Sequence, residues 1–136
     1  MPEELSLHSD ARFSELVLPA LTNHYGTLYG ANALHLMGKA AFLCAARHAG
    51  CDVVMAKADG IEFHRPVRLG EIIDISARIV FRGRSSMTIL VNAFTDDGGE
   101  KHPAISGHFM MVAVDGDGRP TPLPTSDQCN AEDIHS

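Results

Sequence analysis

The longest regular pattern in the chain is helical and runs from Gly30 to about His48. Ala and Leu have high helix propensity, and Gly50 lies just past the last turn, where helices commonly stop. Much of the remaining helix surface is also apolar or small, so we expect a buried central helix surrounded by other elements. The apolar positions at spacings of three and four are Ala33, Leu34, Met37, Ala40, Ala41, Cys44 and Ala45.

Segments in which apolar and polar residues alternate flank this helix and predict strands. A short strand is predicted over residues 14–19, before a loop rich in Asn, Gly and Thr that leads into the helix. Four more are predicted over residues 52–64, 71–82, 86–95 and 104–114, with an irregularity at Gly60. Short turns between them predict an antiparallel meander. Two of these strands have marked apolar faces, formed by Ile73, Ile75, Ala77, Ile79 and Phe81 and by Met87, Ile89, Val91 and Ala93.

This order of elements predicts one α+β domain over residues 1–136, in which the helix covers one face of the sheet. We expect an ordered core over residues 12–122, a weakly held arm over residues 1–10 and a flexible, Pro-containing tail over residues 123–136. One helix cannot shield a broad sheet, and the edge strands stay open. Pairing of two copies resolves both problems, so we expect a homodimer or a higher homo-oligomer.

Composition excludes several classes of protein. The formal net charge of −6 argues against a nucleic-acid binder, because affinity for phosphate backbones comes from clustered Lys and Arg. The three cysteines form no disulfide framework and the eight histidines no metal-binding spacing, so we expect reduced thiols and no metal. The first residues, MPEELSLHSD, lack the apolar core of a signal peptide, and no apolar run is long enough for a membrane span. We therefore expect a cytoplasmic protein.

Four short segments, in this order and at this spacing, resemble the hot-dog-fold acyl-CoA thioesterases of the cytosolic acyl-CoA thioester hydrolase type. The segments are TNHYGTLYGANALHLMGKAA, IEFHRPVRLGE, GRSSMTILV and HFMMVAVDGDGRPTPLP. The resemblance implies the hot-dog fold, in which a curled antiparallel sheet wraps one long central helix. It also implies an acyl-CoA substrate, no cofactor, and active sites at the interface of paired units that often form hexamers.

The family pattern near the helix runs from Asn through a Gly pair to a catalytic carboxylate. Asn23 holds the Asn position and Gly30 the first Gly of the pair, whereas Ala31 replaces the second Gly. Gly38 stands where the family usually has the carboxylate. The resemblance implies that Asn23 positions a water or the thioester carbonyl, and that the Gly30 amide, at a helix start with unpaired N–H groups, stabilises the oxyanion. The alternative for Asn23 is an ordinary turn residue, and the alternative for Gly30 is an ordinary glycine at a helix start.

The general base is missing from its usual place, because no Asp or Glu occurs from Ala20 through Cys51. His35 lies one turn before Gly38 on nearly the same face, and its neutral imidazole is a candidate base. Asp59 follows the helix and is a candidate to enter a site from a neighbouring subunit, and His24 adjoins Asn23. Each of these residues has an alternative as an ordinary surface residue. A site without a base is also open, and it would hydrolyse slowly.

Coenzyme A recognition rests on basic and hydroxyl residues. In the family, the pantetheine arm runs near the position of the GRSS turn, and basic residues meet the phosphates. The resemblance assigns this role to Arg82, Arg84, Ser85 and Ser86, with Arg65 and Arg68 as further candidates. Arg matches phosphate geometry with two parallel hydrogen bonds. The alternative for all of them is a solvated turn.

Three functions are consistent with these residues. The first is an acyl-CoA thioesterase that releases a free acid and coenzyme A, weakened by Gly38 at the carboxylate position. The second is a non-catalytic acyl-CoA-binding or regulatory protein on the same fold, which Gly38 favours. The third is hydration of an enoyl thioester, for which the expected His and Asp arrangement is not evident.

Overall fold

The computed structural model describes residues 11–124, and the predicted arm and the tail from residue 125 onward lie outside this range. A short 3₁₀ turn at Pro19–Leu21 precedes the helix. No helix of residues 11–124 combines the length and apolar character that a membrane span requires. The elements are β1 (Ala11–Leu16), α1 (Gly30–Ala49), β2 (Val53–Phe63), β3 (Ile72–Arg82), β4 (Ser86–Asp97) and β5 (Glu100–Ala113).

The five strands form one antiparallel sheet in the order β1-β3-β4-β5-β2. The predicted meander is confirmed for β3, β4 and β5, but it is wrong for β2, which pairs with β5 at the sheet edge rather than with β3. The connection over residues 64–71 is long enough to carry the chain from one edge toward the other. The first strand lies three residues earlier than predicted, because Pro19 begins the 3₁₀ turn.

The helix packs against all five strands and forms the centre of the domain. Its buried face consists largely of small residues, which bring the helix axis close to the sheet. The prediction that other elements surround the helix is wrong for its opposite face, where Leu34 is 39% exposed and Phe42 47% exposed. The buried helix residues are Ala33, Leu36, Met37, Ala40, Ala41, Cys44, Ala45, His48 and Ala49.

Alternating side chains of the sheet complete the core, as predicted for β3 and β4. Ile73, Ile75, Ala77, Ile79, Met87, Ile89, Val91 and Ala93 are all buried. Phe81 departs from the prediction and is 64% exposed, because a register shift between Ile79 and Phe81 turns the strand over. The central strands therefore supply most of the apolar area buried against α1.

Gly50 and Gly60 are among the glycines whose positions require positive φ. Gly50 ends α1 in the left-handed region at φ 65°, and its N–H donates to the Ala46 carbonyl, as the stop signal predicted. Gly60, at φ 60°, lies within the predicted irregularity of β2, where the pairing with β5 shifts between Asp59 and Glu62.

Candidate functional site

Asn23 organises the loop that leads into the helix. Its side-chain Oδ1 accepts hydrogen bonds from the Tyr25 N–H at 2.9 Å, the Thr27 N–H at 3.2 Å and the Thr27 hydroxyl at 3.2 Å. The Thr27 carbonyl accepts the Asn23 N–H at 2.9 Å, which closes the loop on itself. Asn23 is therefore a turn residue, and with Oδ1 occupied by donors its remaining chemistry is donation from Nδ2.

The start of α1 presents backbone N–H groups that no side chain caps. Tyr29 is the residue that precedes the helix and makes no side-chain cap hydrogen bond. The Leu21 carbonyl accepts both the Tyr29 N–H at 2.9 Å and the Asn32 Nδ2 at 3.0 Å, which ties the helix start to the segment just before Asn23. The first amides of the helix, including that of Gly30, thus lie next to the loop that Asn23 organises, and such amides favour a negatively polarised oxygen.

Gly30 and Gly38 lie on the side of α1 that faces β2. A Cβ atom added to Gly30 would lie 3.8 Å from the Phe63 Cζ, and one added to Gly38 would lie 3.2 Å from the Met55 Cε. Sequence reasoning missed Met55 and Phe63. No local pattern over residues 52–64 signals them, because nearly every position of β2 is exposed.

The three candidate bases lie on separate segments of one protomer. His35 is exposed on α1, and His24 is exposed with its ring against Tyr25 at a centroid distance of 3.9 Å. Asp59 lies opposite the exposed His108. Its carboxylate accepts the Gly60 N–H at 2.8 Å and pairs with the Lys57 ammonium at 3.5 Å. No hydrogen bond or ion pair identified among residues 11–124 joins these side chains to Asn23.

The predicted coenzyme A residues of the GRSS turn lie at the other end of the helix. The Ser86 carbonyl accepts the Gly83 N–H at 2.8 Å, and the Arg84 carbonyl accepts the Leu123 N–H at 2.8 Å. Leu123, which the sequence analysis placed in the tail, is buried here. Burial and the nearby charge of Arg82 lower the pKa of His48, which lies in the last turn of α1. The turn therefore adjoins the helix C-terminus.

Arg65 belongs instead to the end of the domain that carries Asn23. It follows β2 by two residues, and its N–H donates to the Ala104 carbonyl at 3.3 Å. The 20-residue helix separates this end from the Arg82–Ser86 turn by about 30 Å. A single protomer consequently brings Asn23, Gly30 and Arg65 to one end and Arg82, Arg84, Ser85 and Ser86 to the other. Residues 11–124 contain no cluster of His, Cys, Asp and Glu suited to a metal ion.

A family model described as the thioesterase superfamily matches residues 25–102. A Zymomonas mobilis protein named as an uncharacterised acyl-CoA thioester hydrolase is 39% identical over 90% of this chain and 83% of its own. The rat cytosolic acyl coenzyme A thioester hydrolase is 34% identical over 86% of this chain but only 32% of its own length. The chain thus spans about a third of that mammalian relative.

Two solved structures share the arrangement of helix and sheet. A Staphylococcus aureus acyl-CoA hydrolase in complex with butyryl coenzyme A and coenzyme A superposes with a TM-score of 0.85 at 26% identity, over 96% of this chain and 89% of its own. A Yersinia pestis thioesterase described as hexameric superposes with a TM-score of 0.79 at 31% identity, over 83% and 93%. The hot-dog fold expected from the sequence is confirmed.

The Staphylococcus aureus hydrolase has also been solved with an Asn, an Asp or a Thr replaced by Ala. These three residues have the same spacing along that chain as Asn23, Gly38 and Met55 have in this one. By this spacing, the present chain keeps the Asn and differs at both other positions. The two positions at which it differs are in contact with each other.

Proposed function

This chain belongs to the thioesterase superfamily, and from that premise we propose that it hydrolyses acyl-CoA thioesters to a free acid and coenzyme A. Water adds to the thioester carbonyl, the carbon–sulfur bond breaks, and the sulfur leaves with a proton as the thiol of coenzyme A. The observation that carries the proposal is the uncapped start of α1 at Gly30, tied to the loop that Asn23 organises.

The chemistry of this site is stabilisation of an oxyanion. As water adds, the carbonyl oxygen becomes negative, and the first amides of α1 donate to it from a helix start that carries partial positive charge. The Asn23 Nδ2 supplies a further donor, because Oδ1 of the same side chain is held by Tyr25 and Thr27. Three acceptor contacts at Oδ1 orient this amide before substrate binds, so that it does not have to reorganise during the reaction.

The complete site includes a second copy of the chain. Asn23 and Gly30 lie about 30 Å from the Arg82–Ser86 turn along the 20-residue helix, and we infer that the turn that meets the same coenzyme A molecule comes from the partner subunit. The exposed edge strand β2 and the uncovered face of α1 form one continuous surface for pairing. The hexameric Yersinia pestis relative supports an oligomer of this kind, and the rat relative's name supports a cytoplasmic location.

A second candidate function is binding of acyl-CoA without turnover. The specific observation in its favour is Gly38, which supplies no carboxylate and lies against the Met55 side chain. Loss of a general base typically slows a reaction about 10²–10⁴-fold, so the hydrolase proposal predicts weak turnover rather than none. His35, His24 and a partner's Asp59 remain proposed bases for the hydrolase.

The test is release of free thiol from a panel of acyl-CoAs, measured beside thermal stabilisation of the protein by each acyl-CoA. The hydrolase proposal expects thiol release above the uncatalysed rate, and loss of that release in Asn23→Asp. Stabilisation by acyl-CoA with no thiol release across the panel would select the binding function. The absence of both thermal stabilisation and thiol release would exclude both functions.

A further inference from the structure

The inner side of β2 rests on two glycines of the helix. Phe63 lies over Gly30 and Met55 lies over Gly38, two turns further along the same side of α1. Both covering side chains are half-exposed, at 57% for Phe63 and 46% for Met55, so they remain accessible beside the helix. The tighter of the two contacts is the one at Gly38.

Gly38 has no Cβ, and the Met55 methyl group uses that space. A Cβ at position 38 would lie 3.2 Å from the Met55 Cε, whereas carbon atoms in good contact lie about 3.5–4.0 Å apart. A glycine inside a helix is unfavourable relative to alanine, so its presence in the middle of α1 indicates a close approach. A side chain at position 38 therefore requires the Met55 methyl group to move by a few tenths of an ångström from its present position.

We propose that Met55 and Gly38 act as one unit, in which the Met55 methyl group fills the carboxylate position and presents an apolar wall to the reacting thioester. This inference rests on the proposed function and identifies Met55 as a positioning residue. Position 38 and position 55, at which this chain carries different residues from the Staphylococcus aureus hydrolase at the same spacing, are the two that touch. A carboxylate introduced at position 38 would meet an apolar neighbour, which disfavours its charged form.

The kinetic test is a double-mutant cycle with Gly38→Asp, Met55→Thr and the double variant, assayed by thiol release across a pH series. Gly38→Asp alone is expected to change kcat/KM by less than about 3-fold, because the carboxylate is crowded and poorly hydrated. The double variant is expected to raise kcat/KM at least about 10²-fold, which is the low end for gain of a general base. Its activity should fall at acid pH as the carboxylate takes up a proton.

Gly38→Asn with Met55→Thr is the matched control, since it has the same shape without a titrating group. We expect it to lack both the gain and the acid limb of the pH profile. An equal gain in Gly38→Asp with Met55 intact would overturn the proposal, because it would show that Met55 does not obstruct position 38. Equal gains in the Asp and Asn double variants would also overturn it.

A stability cycle tests the same unit without relying on hydrolysis. Gly38→Ala should raise Tm by about 3–4 °C when Met55 is replaced by Ala, because Ala favours the helix and the space is vacant. With Met55 present, the same substitution should raise Tm by about 1 °C or less. Equal shifts in both backgrounds would overturn the proposal. Coupled shifts in an enzyme that releases no thiol would instead refute the proposed function alone.

Discussion

The two roles of Asn23 can be separated by a pair of substitutions. Asn23→Asp keeps an oxygen where Oδ1 accepts from Tyr25 and Thr27, and it removes the Nδ2 donor. Asn23→Ala removes the acceptor and the donor together. A purely structural role predicts that only the alanine variant suffers, whereas the proposed site predicts that both lose activity.

The expected loss of stability follows from the three hydrogen bonds that Oδ1 accepts. A typical hydrogen bond contributes about 0.5–1.5 kcal/mol net, and these lie in a loop where water can replace the lost partner, so the low end applies. Asn23→Ala should therefore cost about 1–2 kcal/mol and lower Tm by about 4–8 °C. Asn23→Asp should stay within about 2 °C of the unmodified protein, since a carboxylate accepts the same amides.

The expected loss of activity follows from the missing donor. Removal of one donor from an oxyanion site typically costs about 10²–10³-fold in kcat, and a carboxylate beside the developing negative charge adds repulsion. The assay is thiol release by both variants with the preferred acyl-CoA, with Tm measured on the same samples. An Asn23→Asp protein that keeps both its Tm and its turnover would refute the assignment of Nδ2 to the site.

Three further predictions concern the opposite end of the helix. Burial and the charge of Arg82 lower the pKa of His48, so as pH falls the unfolded state takes up the proton before the folded state does. The free energy of unfolding should therefore decrease as pH drops below 6.5. His48→Gln should remove this pH dependence in thermal unfolding measured from pH 5 to 8. Leu123→Ala should cost about 2 kcal/mol in urea unfolding, because the side chain is buried, and should raise KM by loosening the turn whose Arg84 carbonyl accepts its N–H. Arg84→Gln should raise KM for acyl-CoA and weaken its salt dependence, with kcat and Tm nearly unchanged.

Each of these has a contradicting outcome. A His48→Gln protein that still loses stability below pH 6.5 would place the responsible group elsewhere. A Leu123→Ala protein as stable as the parent would show that the segment after β5 is dispensable. An Arg84→Gln protein with an unchanged KM would exclude this side chain from the coenzyme A site. The KM of an Arg65→Gln protein, compared with that of Arg84→Gln, would then identify which end of the domain binds phosphate.

The local pattern of apolar and polar residues was enough to predict most of the helix and strand positions. The helix bounds and the inner faces of β3 and β4 follow from periodicity. A helix packed on a sheet buries residues at spacings of three and four, and a strand with one covered face buries every second residue. The prediction that Phe81 is buried was wrong, because the register shift between Ile79 and Phe81 has no signal in the sequence. The place of β2 at the edge was missed because strand order depends on long-range pairing, and the connection over residues 64–71 does not reveal it.

The site was predictable only in part, for the same reason. Asn23 and Gly30 lie close in sequence, so their proximity at a helix start was visible in the spacing. The contact of Met55 with Gly38 joins a strand to a helix, and no local pattern signals it. The distance between Gly30 and the Arg82–Ser86 turn also appeared only once the helix C-terminus was located beside Arg82.

The central claim concerns where the thioester oxygen lies, and a crystal structure with a non-hydrolysable acyl-CoA analogue tests it most directly. The account predicts the carbonyl oxygen within hydrogen-bonding distance of the Gly30 amide and the Asn23 Nδ2 of one protomer. The Arg82–Ser86 turn that meets the same coenzyme A molecule should belong to the partner subunit. A carbonyl oxygen bound away from the helix start, or a ligand held entirely by one protomer, would contradict it.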